Sequence, residues 1–145
     1  GQKTGKGWYD YKPGVRKPSL NRDLDPVLLE VSASLGLVRR KVSDDEIVQR
    51  CIFALVNEAA AILGEGIAQR GSDVDMAYLF GYGFPRFRGG PLFFADTFGL
   101  NTMIRQMARF ANNPHGDPAF WQPHPLLVQL AETGRRLSAY EVSHG

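Results

Sequence analysis

Carboxylates occur in two close groups, an arrangement that acid–base catalysis uses when neighbouring acids have different pKa values. The first group is Asp44, Asp45 and Glu46, and the second is Asp73 and Asp75. Each group falls in the first turn of a predicted helix, where the positive end of the helix dipole stabilises negative charge. The sequence therefore favours helix capping over acid–base chemistry at both groups.

Residues that bind metals or act as nucleophiles are few and scattered. His115, His124 and His144 have no regular spacing, and Cys51 has no Cys or His three or four positions away. Metal-binding motifs need such spacing, and no Gly-x-Ser-x-Gly nucleophile motif occurs. We interpret the histidines as surface or loop residues and Cys51 as packing material on the apolar face of a helix. The sequence predicts no catalytic residue and no metal ligand.

A glycine-rich segment, GYGFPRFRGG at residues 81–90, could bind an anion. It contains Arg86 and Arg88 and precedes Pro91, which is predicted to open a helix. Arginines beside a helix N-terminus can hold a phosphate or a carboxylate. However, the segment follows a predicted helix, whereas the glycine motif of dinucleotide-binding folds follows a strand. We favour a structural turn, with anion binding as the alternative.

Asn57 and Glu58 lie within the longest predicted helix, and Asn57 is next to its apolar side. A polar amide at the edge of a core either forms hydrogen bonds with nearby backbone groups or points into a cleft to bind a ligand. We favour the first interpretation, and the second stays open.

The longest helix is predicted from Ser43 to a point before Arg70. Ser43 and Glu46 have the spacing of a capping box, and Gly64 and Gly66 weaken the C-terminal end. Apolar residues recur at steps of three and four, which predicts a wide buried face. The residues of this face are Ile47, Val48, Cys51, Ile52, Leu55, Val56, Ala59, Ile62 and Leu63.

Five further helices are indicated by N-cap residues, prolines at first positions and terminal glycines. Asp25 and Ser72 are the predicted N-caps of the first two, and Gly81 or Gly83 is predicted to end the second. Residues 112–125 are predicted to be a loop, with Pro125 opening the next helix, and no alternating strand pattern of useful length occurs. The sequence thus predicts an all-α fold, a compact bundle of about six helices. The predicted ranges are 25–36, 72–83, 91–99, 101–111 and 125–134.

The bulk composition is that of a globular domain. Apolar residues make up 43% of the 145 residues and charged residues 22%, which excludes a disordered chain. The single cysteine excludes an intramolecular disulfide, and no apolar run approaches the roughly 20 residues that cross a bilayer. We expect a soluble domain of a reducing compartment with no membrane span.

The first 22 residues carry six basic side chains and one acid, Asp10. Such a segment could contact nucleic acid, a membrane surface or the phosphates of a cofactor. Trp8, Tyr9 and Tyr11 would suit stacking on bases. We favour a solvated, extended arm over residues 1–24 and predict no nucleic-acid binding. The basic residues are Lys3, Lys6, Lys12, Arg16, Lys17 and Arg22.

Several motifs occur in a fixed order and together resemble the C-terminal helical domain of 3-hydroxyacyl-CoA dehydrogenases. Within this family, the motifs more specifically resemble those of multifunctional fatty-acid β-oxidation enzymes that also carry an enoyl-CoA hydratase part. KTGKGWYDY at residues 3–11 is similar to the close of the first of two helical repeats in those enzymes. The other motifs are VNEAAAILGEGIA at 56–68, SDVD at 72–75, GYGFP at 81–85, RGGP at 88–91 and ADTFGL at 95–100.

The resemblance implies a fold of the 6-phosphogluconate dehydrogenase C-terminal-domain type, with residues 25–145 as the helical domain. Residues 1–24 would then close a preceding repeat of a longer parent enzyme, which oxidises 3-hydroxyacyl-CoA to 3-oxoacyl-CoA with NAD. The family's nicotinamide-binding domain and His–Glu pair have no counterpart in this sequence. No cofactor is therefore expected to bind this chain, and the chain alone is expected to be inactive. Asn57 matches an Asn found in both repeats and is the one candidate substrate-binding residue.

The expected partners are the Rossmann and first helical domains of the parent chain, through which the acyl-CoA substrate would be bound. The segment 81–100 is expected to serve packing and docking, and a homo-oligomer is left open. The expected compartment is the bacterial cytoplasm, in preference to the peroxisome or the mitochondrial matrix. The alternative function is a free-standing, non-catalytic helical module for dimerisation or interaction.

Overall fold

The computed structural model describes residues 1–142, and the chain forms two compact units. The first unit is Gly1–Lys41, and the second begins at Val42. The sequence-based boundary at residue 25 falls inside the first unit. The assignment of residues 25–145 to one domain stays a prediction.

Two short strands and one helix build the first unit. After a 3₁₀ turn at Gln2–Thr4, β1 (Tyr9–Asp10) pairs antiparallel with β2 (Ser19–Leu20). A turn at Pro13-Gly14 lies between the strands, with Gly14 at a φ of 75°. Strands of two residues are too short to show an alternating pattern, so the sequence did not reveal them.

The helix of the first unit, α1, spans Leu24–Ser34. It begins one residue before the predicted N-cap Asp25, which therefore lies in the first turn. The Asp25 carboxylate accepts a hydrogen bond from the Arg22 guanidinium at 3.3 Å and does not cap the backbone. Gly36 follows the helix with a φ of 64°, which agrees with the predicted stop. No residue of α1 is buried.

Five helices build the second unit. With α1, six α-helices lie within residues 1–142, which confirms the all-α prediction. The predicted loop after the fifth helix contains a 3₁₀ turn, because Asp117 accepts a hydrogen bond from the Ala119 backbone N–H at 2.9 Å. The helices are α2 (Asp44–Gly64), α3 (Gly71–Gly81), α4 (Pro91–Phe98), α5 (Leu100–Ala111) and α6 (Pro125–Thr133), with 3₁₀ turns at Arg86–Arg88 and Pro118–Trp121.

The predicted start of α2 is confirmed, whereas that of α3 is wrong. Ser43 Oγ accepts a hydrogen bond from the Glu46 backbone N–H at 3.2 Å. Helix α3 begins at Gly71, so Ser72 is its second residue and not its cap. The Gly71 N–H donates to the Tyr140 carbonyl at 2.8 Å, so the late C-terminal segment satisfies the first backbone donor of α3.

The core of the second unit forms where α2, α4, α5 and α6 meet. Phe53 is fully buried, and its ring lies 5.1 Å from Phe98 and 6.2 Å from Phe110, measured between ring centroids. The predicted apolar face of α2 contributes three of its members. The other buried apolar residues are Val56, Ala59, Ala60, Leu63, Val74, Leu92, Ala95, Leu100, Met103, Met107, Phe110, Trp121, Leu126, Leu127, Leu130, Ala131 and Leu137.

The first two turns of α2 differ from the prediction. Ile47 and Val48 are each 50% exposed, and Cys51 is exposed. The buried residues of α2 begin at Phe53, so its first two turns extend beyond the part of the helix that the core covers. The prediction that Cys51 is packing material is therefore wrong.

Helix α2 is also long and apolar enough to satisfy the criteria for a membrane-spanning helix. It has 21 residues, with a mean hydropathy of 1.5 in its most apolar window. Polar and charged residues interrupt its apolar ones, so no continuous apolar run marks it in the sequence. Core helices of globular domains satisfy the same criteria. Since Phe53, Val56 and Leu63 are fully buried by neighbouring helices, we interpret α2 as a core helix.

Candidate functional site

The amide of Asn57 joins α2 to the segment that precedes α6. Its Nδ2 donates to the Gln122 carbonyl at 2.9 Å, and its Oδ1 accepts from the His124 backbone N–H at 2.8 Å. Both partners belong to extended backbone between Trp121 and α6, where no regular element supplies hydrogen bonds. Asn57 thus replaces the missing backbone partners of that segment.

Of the two interpretations left open for Asn57, the structure shows the backbone-bonded one. An amide side chain has two donor hydrogens and two acceptor lone pairs, so half of its hydrogen-bonding capacity remains beyond these two bonds. The assignment of Asn57 to substrate binding stays a prediction. Its neighbour Glu58 is exposed.

His124 is the N-cap of α6. Its Nδ1 accepts a hydrogen bond from the Leu126 backbone N–H at 3.2 Å, and its ring lies against Gly64, where a Cβ would come within 2.5 Å of Cε1. His124 lies in the irregular segment before α6, as predicted, and it is half-buried there. His115 is exposed, as predicted, and His144 lies outside the described residues.

Replacing Asn57 with alanine should lower the free energy of unfolding by about 2 to 3 kcal/mol, because two backbone groups lose their partners. Asn57→Asp should also lower stability, since one carboxylate oxygen still accepts from the His124 N–H but the other faces the Gln122 carbonyl in place of the Nδ2 donor. Urea denaturation monitored by circular dichroism measures both changes. Glu58→Ala, at the adjacent exposed position, is the control and should change stability by less than about 0.5 kcal/mol. Equal losses at residues 57 and 58 would contradict the role of the amide.

A second polar site joins α3 to the start of α4. Asp75 is only 6% exposed, and its carboxylate accepts hydrogen bonds from the backbone N–H groups of Leu92 at 2.7 Å and Phe93 at 3.1 Å. The prediction that Asp75 is a first-turn charge of α3 is wrong, because only Asp73 lies in that turn. The Asp75 carboxylate satisfies the N-terminus of α4, a different helix.

The anion site considered for the glycine-rich segment is therefore filled from within the chain. The first donors of α4 are bound to Asp75, and a Cβ at Gly90 would lie 2.5 Å from the Asp75 Cγ. Arg86 and Arg88 pack over aromatic rings, with Arg86 5.3 Å from the Phe80 ring centroid. The structure supports the structural turn at 81–90.

Burial raises the pKa of the Asp75 carboxyl from its ordinary 3.8 to about 6, against the lowering effect of the Leu92 and Phe93 hydrogen bonds. The negative charge of Asp96 raises it further. Because this pKa is higher in the folded than in the unfolded chain, the folded chain binds the proton more tightly. The stabilisation from this proton is complete below pH 3.8 and is lost as the pH rises through about 6.

We therefore expect the stability difference between the natural chain and Asp75→Asn to fall by about 2 kcal/mol as the pH rises from about 4 to 7. Asparagine does not titrate, so subtracting the variant removes the contributions of all other groups. Urea denaturation of both proteins across this pH range measures the difference. A difference that stays flat or grows with pH would contradict the assignment.

Asp96 makes a third connection of the same kind. Its two carboxylate oxygens accept hydrogen bonds from the backbone N–H groups of Leu137 at 2.8 Å and Ser138 at 3.0 Å. These bonds hold the segment after α6 against α4. Asp96 is the one acid in residues 81–100, and that isolation was the only signal in the sequence that it has a specific partner.

An exposed aromatic surface lies on residues 80–98. We use the term aromatic surface for Phe80, Tyr82, Phe87 and Phe93, which are 68%, 80%, 83% and 45% exposed. A cavity of about 270 Å³ adjoins it and is lined in part by Phe94. Exposed aromatic side chains beside a cavity are typical of an interaction site. No cluster of metal-binding side chains occurs among residues 1–142.

The second unit also matches a known protein family in sequence. A family model described as the 3-hydroxyacyl-CoA dehydrogenase C-terminal domain matches residues 47–139. The chain belongs to this family. The match covers α2 to α6 of the 3-hydroxyacyl-CoA dehydrogenase C-terminal domain, and it confirms the resemblance that the sequence motifs indicated.

Curated relatives of this 3-hydroxyacyl-CoA dehydrogenase domain are much longer proteins. The peroxisomal bifunctional enzyme of Danio rerio is 45% identical over 139 residues, which are 92% of this chain and 19% of the relative. That of Homo sapiens is 42% identical, with coverage of 92% and 18%. The fatty acid oxidation complex subunit alpha of Vibrio campbellii is 38% identical, with coverage of 93% and 18%. The chain thus spans about a fifth of the length of these relatives.

Proposed function

We propose that this chain is the C-terminal helical portion of a multifunctional β-oxidation enzyme. The observation that carries the proposal is the family match over residues 47–139, together with coverage of 18–19% of relatives named as bifunctional or multi-subunit oxidation enzymes. The reaction of the parent would be the oxidation of 3-hydroxyacyl-CoA to 3-oxoacyl-CoA by hydride transfer to NAD. An enoyl-CoA hydratase part would belong to the same polypeptide.

The residues of this chain do not fit NAD. Dinucleotide binding in this class of enzyme needs a strand, a glycine-rich turn and a helix whose N-terminus faces the pyrophosphate. Residues 1–142 contain no such unit, and the donors at the N-terminus of α4 are bound to Asp75. Cofactor binding and catalysis would therefore lie in other domains of the parent.

The proposed role of this chain is to pack against those domains and to support the substrate cleft. The aromatic surface carries the contact, because Phe87 is 83% exposed and Arg86 and Arg88 lie beside it. Asp75 and Gly90 fix the turn that presents this surface. The partners would be the Rossmann and first helical domains of the parent, and acyl-CoA would be bound through them.

The test compares this chain with the full-length polypeptide in which its sequence occurs. We expect the full-length protein to oxidise NADH in the presence of acetoacetyl-CoA and the isolated chain to show no turnover. In the full-length protein, Phe87→Ser should lower activity and thermal stability together. Phe120→Ser changes an exposed aromatic outside the aromatic surface, 59% exposed, and should lower neither. An inactive full-length protein, or an active isolated chain, would overturn the proposal.

A free-standing interaction module is the second candidate function, and the aromatic surface is the observation that favours it. Such a module would associate with itself through Phe80, Tyr82 and Phe87. Light scattering of the isolated chain at increasing concentration separates the two candidates. Self-association that Phe87→Ser abolishes and Phe120→Ser retains would favour the module, whereas a monomer at all concentrations would reject it.

The compartment is also a proposal. We propose that the protein acts in the bacterial cytoplasm, in preference to the peroxisome or the mitochondrial matrix. The relatives include bacterial subunits, although those named peroxisomal have the higher identity. Fractionation of the source cells, followed by immunoblotting for this sequence, decides between the compartments.

A further inference from the structure

Two groups of basic side chains in the first unit differ in their partners. Lys6 pairs with Asp23 at 2.9 Å, and Arg22 pairs with Asp25 at 3.3 Å. The second group, Lys3, Lys12 and Arg16, forms no side-chain hydrogen bond or ion pair with any residue of the described part of the chain. These three side chains therefore have no counter-charge in the described part of the chain.

These three cations line the same pocket. The pocket has a volume of about 720 Å³, and the other side chains around it include Gln2 and Tyr11. No acidic residue among residues 1–142 lines it. We call it the basic pocket. Its volume falls within the range of roughly 300–1,000 Å³ that is usual for small-molecule sites.

The backbone of the first unit builds the basic pocket. The Tyr11 N–H donates to the Gly5 carbonyl at 2.8 Å, which joins the pocket to the 3₁₀ turn that carries Lys3. A second turn closes with a hydrogen bond from the Val15 N–H to the Lys12 carbonyl at 3.1 Å. The left-handed Gly14, with a φ of 75°, completes that turn. Lys12 and Arg16 thus flank one turn, and Lys3 belongs to the other.

Three cations around a cavity without an acid repel one another, and an anion inside the cavity removes that repulsion. A phosphate group suits this donor set, since a guanidinium binds two of its oxygens at once and an ammonium binds a third. Tyr11 is half-buried and offers a ring on which a base can stack.

We propose that the basic pocket binds the phosphate groups of a polyphosphate ligand, with a nucleoside diphosphate as its natural class. Lys3, Lys12 and Arg16 hold the phosphates, and Tyr11 contacts the base. This site belongs to the first unit, and the proposal does not depend on the proposed role in β-oxidation. A phospholipid headgroup shares the phosphate chemistry, and the test distinguishes it from a free polyphosphate.

The test is isothermal titration calorimetry of the isolated chain with tripolyphosphate and with ADP, and sedimentation with phosphatidylserine vesicles. We expect 1:1 binding of both soluble ligands, weakening as salt increases. The double variant Lys12→Glu with Arg16→Glu should bind at least tenfold more weakly, with an unchanged circular dichroism spectrum. Tyr11→Leu should weaken the binding of ADP and leave the binding of tripolyphosphate unchanged.

A control with the same change in net charge separates the pocket from general attraction. Arg135→Glu with Arg136→Glu reverses two exposed cations of the second unit and should bind as the natural chain does. Equal weakening in the two double variants, or no binding of either soluble ligand or of vesicles, overturns the proposal. The chain could also bind vesicles but neither soluble ligand. If only the variant Lys12→Glu with Arg16→Glu then loses vesicle binding, the result supports the phosphate site and assigns a lipid headgroup as its ligand in place of a nucleotide.

Discussion

Replacing Gly90 with alanine should lower the free energy of unfolding by about 3 to 5 kcal/mol, the sum of backbone strain and overpacking. Gly90 has a φ of 103° and a ψ of 167°, a conformation that only glycine adopts readily. A Cβ there would also lie 2.5 Å from the Asp75 Cγ, against a buried carboxylate that is bound to α4 and cannot move freely. Urea denaturation monitored by circular dichroism measures the loss.

Gly83→Ala is the matched control within the same glycine-rich segment. Gly83 has a φ of 70°, and no atom lies within 4 Å of the position that a Cβ would take. The substitution should therefore lower stability by only about 1 kcal/mol, the cost of a left-handed alanine. If both variants lose the same amount, the contact between Gly90 and Asp75 does not determine the turn.

Phe53→Ala should lower the free energy of unfolding by about 3 to 5 kcal/mol, because it leaves a large cavity at a fully buried position. The ring contacts Phe98 of α4 and Phe110 of α5, so its loss loosens both helices against α2. Phe53→Leu retains most of the volume and should lose about 1.5 kcal/mol. The same denaturation experiment measures all variants.

The exposed ring of Phe120 supplies the control for Phe53. It is 59% exposed, so Phe120→Ala should change stability by less than about 1 kcal/mol. A loss at residue 53 no larger than that at residue 120 would mean that α2 does not form the centre of the core.

Local chemistry explains why much of the helical architecture could be predicted. Ser43, Pro91 and Pro125 each determine a helix start through their own backbone or side chain, and the structure confirms all three starts. The stops at Gly81 and Gly134 depend equally on one residue and its neighbours. No knowledge of tertiary structure is needed for such signals.

The connections between helices could not be predicted, because each depends on a partner distant in sequence. Asp75 and Asp96 resemble ordinary helical acids, yet one caps α4 from α3 and the other holds backbone 41 and 42 positions later. Asn57 is bonded 65 and 67 positions away. Periodicity alone placed Cys51 on the apolar face of α2, since it cannot show where the covering helices end.

The position of Cys51 has a practical consequence for studying this domain. It is the only cysteine of the chain, and its thiol is exposed on α2, two residues before the first buried side chain. A maleimide dye or nitroxide would therefore attach at one defined place without prior mutagenesis. The label would lie near the exposed N-terminal end of α2, whereas the C-terminal part of this helix is anchored in the core. The rotational freedom of the label would therefore report on any partner that covers the N-terminal end.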